Sequence, residues 1–301
     1  MQSFDHHPNW TTNFFETPPP REKKRSFPTP VILFVLTVLS TIAAGCFHQG
    51  VNIFLEPWKF YKGLPFAITL LLILGIHESG HYFLCKLHRI PATVPYFIPM
   101  PNILGTMGAF IKIKGAITNR RALLDIGMAG PLAGFIIALP ATIIGYILSP
   151  VVPTPLEEGL VLGNSILTWI LEKILIPIPE PGYGIMLHPV GFAGYIGLFV
   201  TAMNLLPVGQ LDGSHVITAL LGEKQHLIAK ITLVILIFSG MFWSGWWLWA
   251  VLLLITGIKH PVIRYDARGL DATRKILAWI TVAIFILTFV PVPFSFTEFT
   301  P

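Results

Sequence analysis

His77-Glu78-Ser79-Gly80-His81 sets two imidazoles four residues apart with a carboxylate beside the first. On a helix, residues i and i+4 lie one turn above each other, so both rings can reach one metal ion. Glu78 then points about 100° round, toward a water rather than toward the metal. Two histidines and an open position suit Zn²⁺ in hydrolytic chemistry, with the glutamate handling the proton of the attacking water. The preceding residues 64–76 carry no charge and are almost wholly apolar. Ionisable groups at membrane depth are costly and mark function by default, since an idle position there would be filled by an apolar side chain.

Two histidines leave a catalytic zinc one protein ligand short. The stretch Asn204-Leu-Leu-Pro-Val-Gly-Gln-Leu-Asp-Gly-Ser-His215 supplies a carboxylate, Asp212, among apolar neighbours. A straight helix from Pro189 would carry Asp212 about 34 Å along its axis and out of the bilayer. Pro207 and Gly209 break such a helix, so the chain can unwind and fold the carboxylate back. Irregular backbone at that depth must be buried in protein or line a wet cavity. Asp125 is a weaker candidate because it lies close to Arg120 and Arg121 and faces that charge. His188 belongs to the outer end of its segment, and Glu223, Asp266 and Asp271 to loops. His215, three residues past Asp212, stays open as an alternative ligand or as support for one.

The elements that must hold these groups are membrane spans. Of 301 residues, 53% are hydrophobic and only 12% charged, about half the charge of a soluble domain. Apolar stretches at 31–47, 64–87, 122–148, 189–206, 227–242, 245–258 and 276–290 read as about seven transmembrane helices of an all-α polytopic membrane protein. Residues 163–177 are also apolar but carry Glu172 and Lys173, which suits an interfacial helix. Residues 1–30, with Pro18-Pro-Pro-Arg-Glu-Lys-Lys-Arg25, read as a disordered cytoplasmic tail without a cleavable signal. The remaining organisation is 31–63 for the first helix and outer loop, 64–221 for the core, and 222–301 for C-terminal helices.

Short loops rich in Lys and Arg stay in the cytoplasm. Arg21, Lys23, Lys24 and Arg25 put the N-terminus inside. Lys86, Arg89, Lys112, Lys114, Arg120 and Arg121 follow the second span, and Lys259, Arg264, Arg268, Arg274 and Lys275 follow the sixth, on the same side. Glu157, Glu158, Glu172 and Glu180 against Lys173 fall outside. The net charge of +5 is thereby a matter of topology, not of nucleic-acid binding. Cys46 and Cys85 form neither a disulfide framework nor a zinc pair. With the second span entering near Leu64, His77 lies about 20 Å down a hydrocarbon core of about 30 Å, in its cytoplasmic half.

Taken together, His77-Glu78-x-x-His81 in one span, Gly130-Pro131-Leu-Ala-Gly134 in the next and Asn204-x-x-Pro207-x-x-x-Leu211-Asp212-Gly213 in a later one resemble the site-2 protease family of intramembrane zinc metalloproteases. The likeness covers about residues 64–221 and is nearest the bacterial and chloroplast-type branch. It implies a three-helix catalytic core, one Zn²⁺ per chain held by His77, His81 and Asp212, and Glu78 as general base. It implies too that substrates are membrane proteins cut within a transmembrane segment, in a bacterial inner membrane. The connection at 149–188 is too short for the PDZ domain that some branches insert.

Residues 94–115 hold Pro95, Pro99, Pro101, Gly105 and Gly108 and then alternate through Phe110-Ile-Lys-Ile-Lys114, which reads as a strand. The resemblance makes this a small β-hairpin dipping into the membrane, whose edge at Gly105, Gly108 and Phe110 could pair with an unwound substrate. Asn204 could support the oxyanion or the substrate backbone, or cap the broken helix. The rival from another class is a non-proteolytic metal-binding membrane protein or transporter; Glu78 argues against it, since transport has no use for a general base beside the metal.

Overall fold

The computed structural model describes residues 29–153, 160–176, 183–257 and 269–296, and these are mostly helical. The basic tail through Arg25, and Glu157, Glu158, Glu180, Lys259, Arg264, Asp266 and Arg268, lie outside the described residues.

The first helix, α1 (Thr29–His48), is followed by a 3-10 turn at Pro57–Gly63 that runs directly into α2 (Leu64–Leu87). The strands β1 (Tyr96–Pro99) and β2 (Thr106–Phe110) pair antiparallel, with Tyr96 opposite Phe110 and Phe97 opposite Ala109. Helix α3 (Arg120–Ile147) starts where the Asn119 side chain accepts from the Arg121 N–H, satisfying one of the donors a helix start leaves open. Two three-residue strands, β3 (Val151–Pro153) and β4 (Leu160–Leu162), precede the short helix α4 (Ile166–Leu175), which Ser165 and Thr168 cap reciprocally. Next come β5 (Tyr183–Ile185), α5 (Pro189–Asn204), α6 (Asp212–Leu221), α7 (Gln225–Ser239), α8 (Gly245–Thr256), α9 (Ala272–Thr288) and β6 (Phe294–Phe296). β3 pairs with β5, and β4 with β6.

Among the described residues, three helical stretches are long and apolar enough to cross a membrane: α1, Pro57–Leu87 and α3. α5 and α8 are apolar but shorter. Outward faces of α1 and α2 show Val31, Val35, Leu39, Ile68 and Leu72 to the surroundings, as lipid-facing helices do.

Helices α2, α3 and α5 pack on one another. Small residues set how closely they approach: a β-carbon on Gly145 would fall 1.9 Å from Gly191 Cα, and one on Gly80 would fall 2.6 Å from the Ala129 carbonyl. Packing without a hydrophobic driving force favours such small-residue contacts. α3 contains Pro131 and Pro140, each of which removes one rung of the helical ladder.

The sequence pattern offers no sign of α6 as a separate helix. Past Asn204 the chain leaves α5, turns at Gly209 in the left-handed region (φ +62°), and restarts at Asp212. Gly213 permits the restart, because a β-carbon there would fall 1.9 Å from the Leu205 carbonyl. α6 then lies along α3, burying Val216 and Ala219 against Leu123, Leu124 and Met128. Arg120 donates to the Ala219 and Leu220 carbonyls and so caps its C-terminal end.

Candidate metal centre

The turn at 205–211 brings the first residue of α6 against α2. His77 and His81 lie on the α2 face turned toward α3 and α5, both buried. His81 Nε2 stands 3.2 Å from His77 Nε2 and 3.1 Å from Asp212 Oδ2, and His77 Nε2 stands 3.4 Å from that same oxygen. Among the described residues this is the one group of three His, Cys, Asp or Glu side chains offering ligand atoms within 4.8 Å of one another.

The donor set fits zinc. Tetrahedral ligands at about 2.0–2.1 Å from Zn²⁺ lie about 3.3 Å apart, as these three atoms do. The His81 ring is aimed by its other nitrogen, since Nδ1–H donates to the Ile126 carbonyl at 2.7 Å and leaves the Nε2 lone pair facing the centre. Asp212 opens α6, where the positive end of the helix dipole favours a carboxylate. Beneath the rings α3 has no side chains: a β-carbon on Gly130 would fall 2.0 Å from His81 Nε2, and one on Gly134 would fall 3.1 Å from His77 Nδ1. The glycines of the Gly130-Pro131-Leu-Ala-Gly134 motif are therefore the floor of the site.

Glu78 is buried beside this group, on the side of β2. The backbone of Ile111, just past β2, lies near its carboxylate. Hydrogen bonds between Thr93 and Lys112 and between Pro91 and Lys114 turn the even-numbered backbone groups toward the β1 side, so that Ile111 faces the other way, along the outer edge of the hairpin. Nothing in the sequence signals this contact. Asn204, the last residue of α5, holds its side-chain amide 3.3 Å from His77 Nε2.

Gly105 and Gly108 both have positive φ (+73° and +104°). Gly105 is buried against α1, where a β-carbon would fall 2.4 Å from the Ser40 carbonyl and where its own carbonyl accepts from Ser40 Oγ. Phe110 is exposed and stacks on Tyr96 at 5.6 Å. His215 packs its β-carbon against Gly127 of α3 and is outside the three-residue group. Asp125 does not face Arg120 or Arg121 as expected from their nearness in sequence; it pairs with Arg274 of α9 and with His88. Arg121, one turn before Asp125, sends its guanidinium to the Gly269 carbonyl, and Arg120 sends its own to the end of α6, so Arg274 of α9 takes the carboxylate.

Helices long enough to cross a membrane, with two histidines, one carboxylate and a neighbouring glutamate gathered beside them, carry the His-Glu-x-x-His arrangement of the membrane metallopeptidase class. The chain belongs to peptidase family M50, whose family model matches residues 65–243. It is similar to the probable zinc metalloprotease EGY2, chloroplastic, of Arabidopsis thaliana, 29% identical over 246 aligned residues in an alignment that covers 78% of this chain and 43% of that protein. The probable zinc metalloprotease EGY1, chloroplastic, of Arabidopsis thaliana is 28% identical over 301 aligned residues, covering 87% of this chain and 52% of the relative. EGY2 of Oryza sativa subsp. indica is 28% identical, with 78% and 44% covered. The chain thus spans about half the length of the curated relatives it matches.

Proposed function

We propose that the protein is a zinc-dependent endopeptidase that hydrolyses peptide bonds inside the membrane-spanning segments of other proteins. The observation that carries this reading is the convergence of His77 Nε2, His81 Nε2 and Asp212 Oδ2 within 3.1–3.4 Å, with buried Glu78 alongside, where α2 and the neighbouring α3 are of membrane length. The relatives' names, which specify zinc metalloproteases, support the metal and the reaction class.

In this reading His77, His81 and Asp212 hold the ion. When bound, zinc supplies a Lewis acid that acidifies water and polarises the scissile carbonyl. Glu78 takes the proton of the attacking water and returns it to the leaving amine nitrogen. The Ile111 backbone lies near the Glu78 carboxylate, and Asn204 donates to the developing oxyanion or to the substrate backbone. A helical substrate hides its peptide bonds and must be unwound and held extended. The outer edge of the hairpin at Ile111, just past β2, lies beside Glu78 and offers backbone for pairing; Gly108, whose N–H donates to Thr106 Oγ1, and Phe110, opposite Tyr96, shape the strand, while Gly105 anchors the hairpin on α1.

The reading also holds seven spans and a hairpin that dips into the bilayer. Supporting the hairpin's depth, Ser40 within α1 and His48 at its end hydrogen-bond the tip carbonyls of Gly105 and Ile103. Supporting the shared sides, Arg121 and Asp125 tie the start of α3 to Gly269 and Arg274 at the start of α9, and β4 pairs with β6 beyond its end. The N-terminus-inside orientation rests on the Lys and Arg clusters. The relatives' names place those proteins in the chloroplast, so a bacterial inner membrane gains no support from them. Incubating purified protein with a labelled single-span peptide, with and without a chelator, tests the function.

A further inference from the structure

We propose that the Asp125–Arg274 ion pair is a positioning element of the metal centre, holding α3 in the register that presents the Ile126 carbonyl to His81. This deepens the reading above and rests on His81 being a metal ligand.

Asp125 is buried in α3, one residue before Ile126. Its carboxylate accepts from Arg274 Nη2 at 2.7 Å, from Arg274 Nε at 2.8 Å and from His88 Nε2 at 2.9 Å. Arg274 also pairs with Asp271, which caps the start of α9 by accepting from the Arg274 N–H. One carboxylate thereby joins three elements: the end of α2 through His88, α3, and the start of α9 through Arg274. His81 and His88 are seven residues apart, about two turns, and they meet consecutive residues of α3, at Ile126 and Asp125.

Elsewhere α2 and α3 meet through small residues, Gly80 on Ala129 and Ala133, and Gly130 and Gly134 under the two histidine rings. Such a surface sets how near two helices lie, while directional hydrogen bonds fix which residues stand opposite each other. The polar ties set the register. A shift of α3 along α2 takes the Ile126 carbonyl off His81 Nδ1–H, and with it the tautomer and ring direction that leave Nε2 facing the ion. A forked guanidinium on a buried carboxylate resists that shift because both partners lose their compensation together. Arg274 lies beyond residues 65–243, so this part of the site is outside the stretch the family model matches.

The test measures zinc affinity of the full-length protein by chelator competition, and the visible spectrum of the Co²⁺-substituted protein, for wild type, Asp125→Asn, Arg274→Lys and His81→Ala. Positioning predicts that Asp125→Asn and Arg274→Lys, both folded, hold zinc about tenfold more weakly and shift the Co²⁺ bands, as loss of a ligand's outer support does. Lysine keeps the charge and loses the fork, so Arg274→Lys decides alone if Asp125→Asn does not accumulate. Wild-type affinity and an unchanged spectrum in the folded variants, with only a lower melting temperature, would overturn the proposal and leave a purely structural ion pair. Wild-type zinc affinity in His81→Ala would instead overturn the assignment of the metal centre itself.

Discussion

Gly130 lies flat under the ring of His81, so close that a β-carbon on it would stand 2.0 Å from the Nε2 atom facing the metal. The helix that carries Gly130 packs against both α2 and α5. Gly130→Ala should therefore abolish zinc binding while the helices still form. Gly134→Ala, with 3.1 Å to His77 Nδ1, should only weaken it. Zinc stoichiometry by plasma mass spectrometry beside helical content by circular dichroism checks both, and full zinc occupancy in Gly130→Ala would refute the placement of the His81 ring.

Asp212→Ala should remove a ligand and lower zinc occupancy together with activity, whereas His215→Ala should leave the zinc content near that of wild type. The His215 side chain packs on Gly127 rather than joining the group. Equal zinc in Asp212→Ala and wild type would return His215 to the centre.

Glu78→Gln should lose cleavage by a factor of about 10² to 10⁴, the usual cost of removing a general base, with zinc still bound. Asn204→Ala should lower kcat by about 10², the cost of one oxyanion donor, with little change in KM. A loss in Asn204→Ala seen only in KM would make Asn204 a substrate-backbone contact.

Much of the site was legible in the sequence because its chemistry is local. The pair His77 and His81 needs only helical spacing, and α2 runs over the same residues, 64–87, that the apolar pattern marks. Asp212 was legible because a carboxylate among Pro207, Gly209 and apolar neighbours has few other uses. What was not legible depends on contacts between distant segments. Asp125 meets Arg274 across 149 positions, and its near neighbours Arg120 and Arg121 point to α6 and to Gly269 instead. The Ile111 N–H belongs to a backbone edge, which no side-chain pattern records. β3, β4, β5 and β6 are three residues each, too short for an alternation to show.

If the outer edge of the hairpin holds substrate by its backbone, the substrate's own backbone should decide rate more than its side chains do. N-methylation of amides flanking the scissile bond should raise KM several-fold, and helix-breaking residues in the substrate span should speed cleavage by easing its unwinding. Indifference to both changes would leave the hairpin as an anchor to α1 alone.

Orientation is open to direct labelling, because Cys46 and Cys85 are buried. Single cysteines at Phe54, between α1 and α2, and at Lys114, beyond the hairpin, should differ: an impermeant maleimide added from outside should label the first and not the second. The opposite pattern would invert the topology.

The most direct measurement is mass spectrometry of the products formed when the purified protein, in a lipid bilayer, meets a single-span peptide. The account predicts a cut inside the span that a chelator stops, that added zinc restores, and that Glu78→Gln does not make. A cut outside the span, or one that persists in the chelator or in Glu78→Gln, would contradict it.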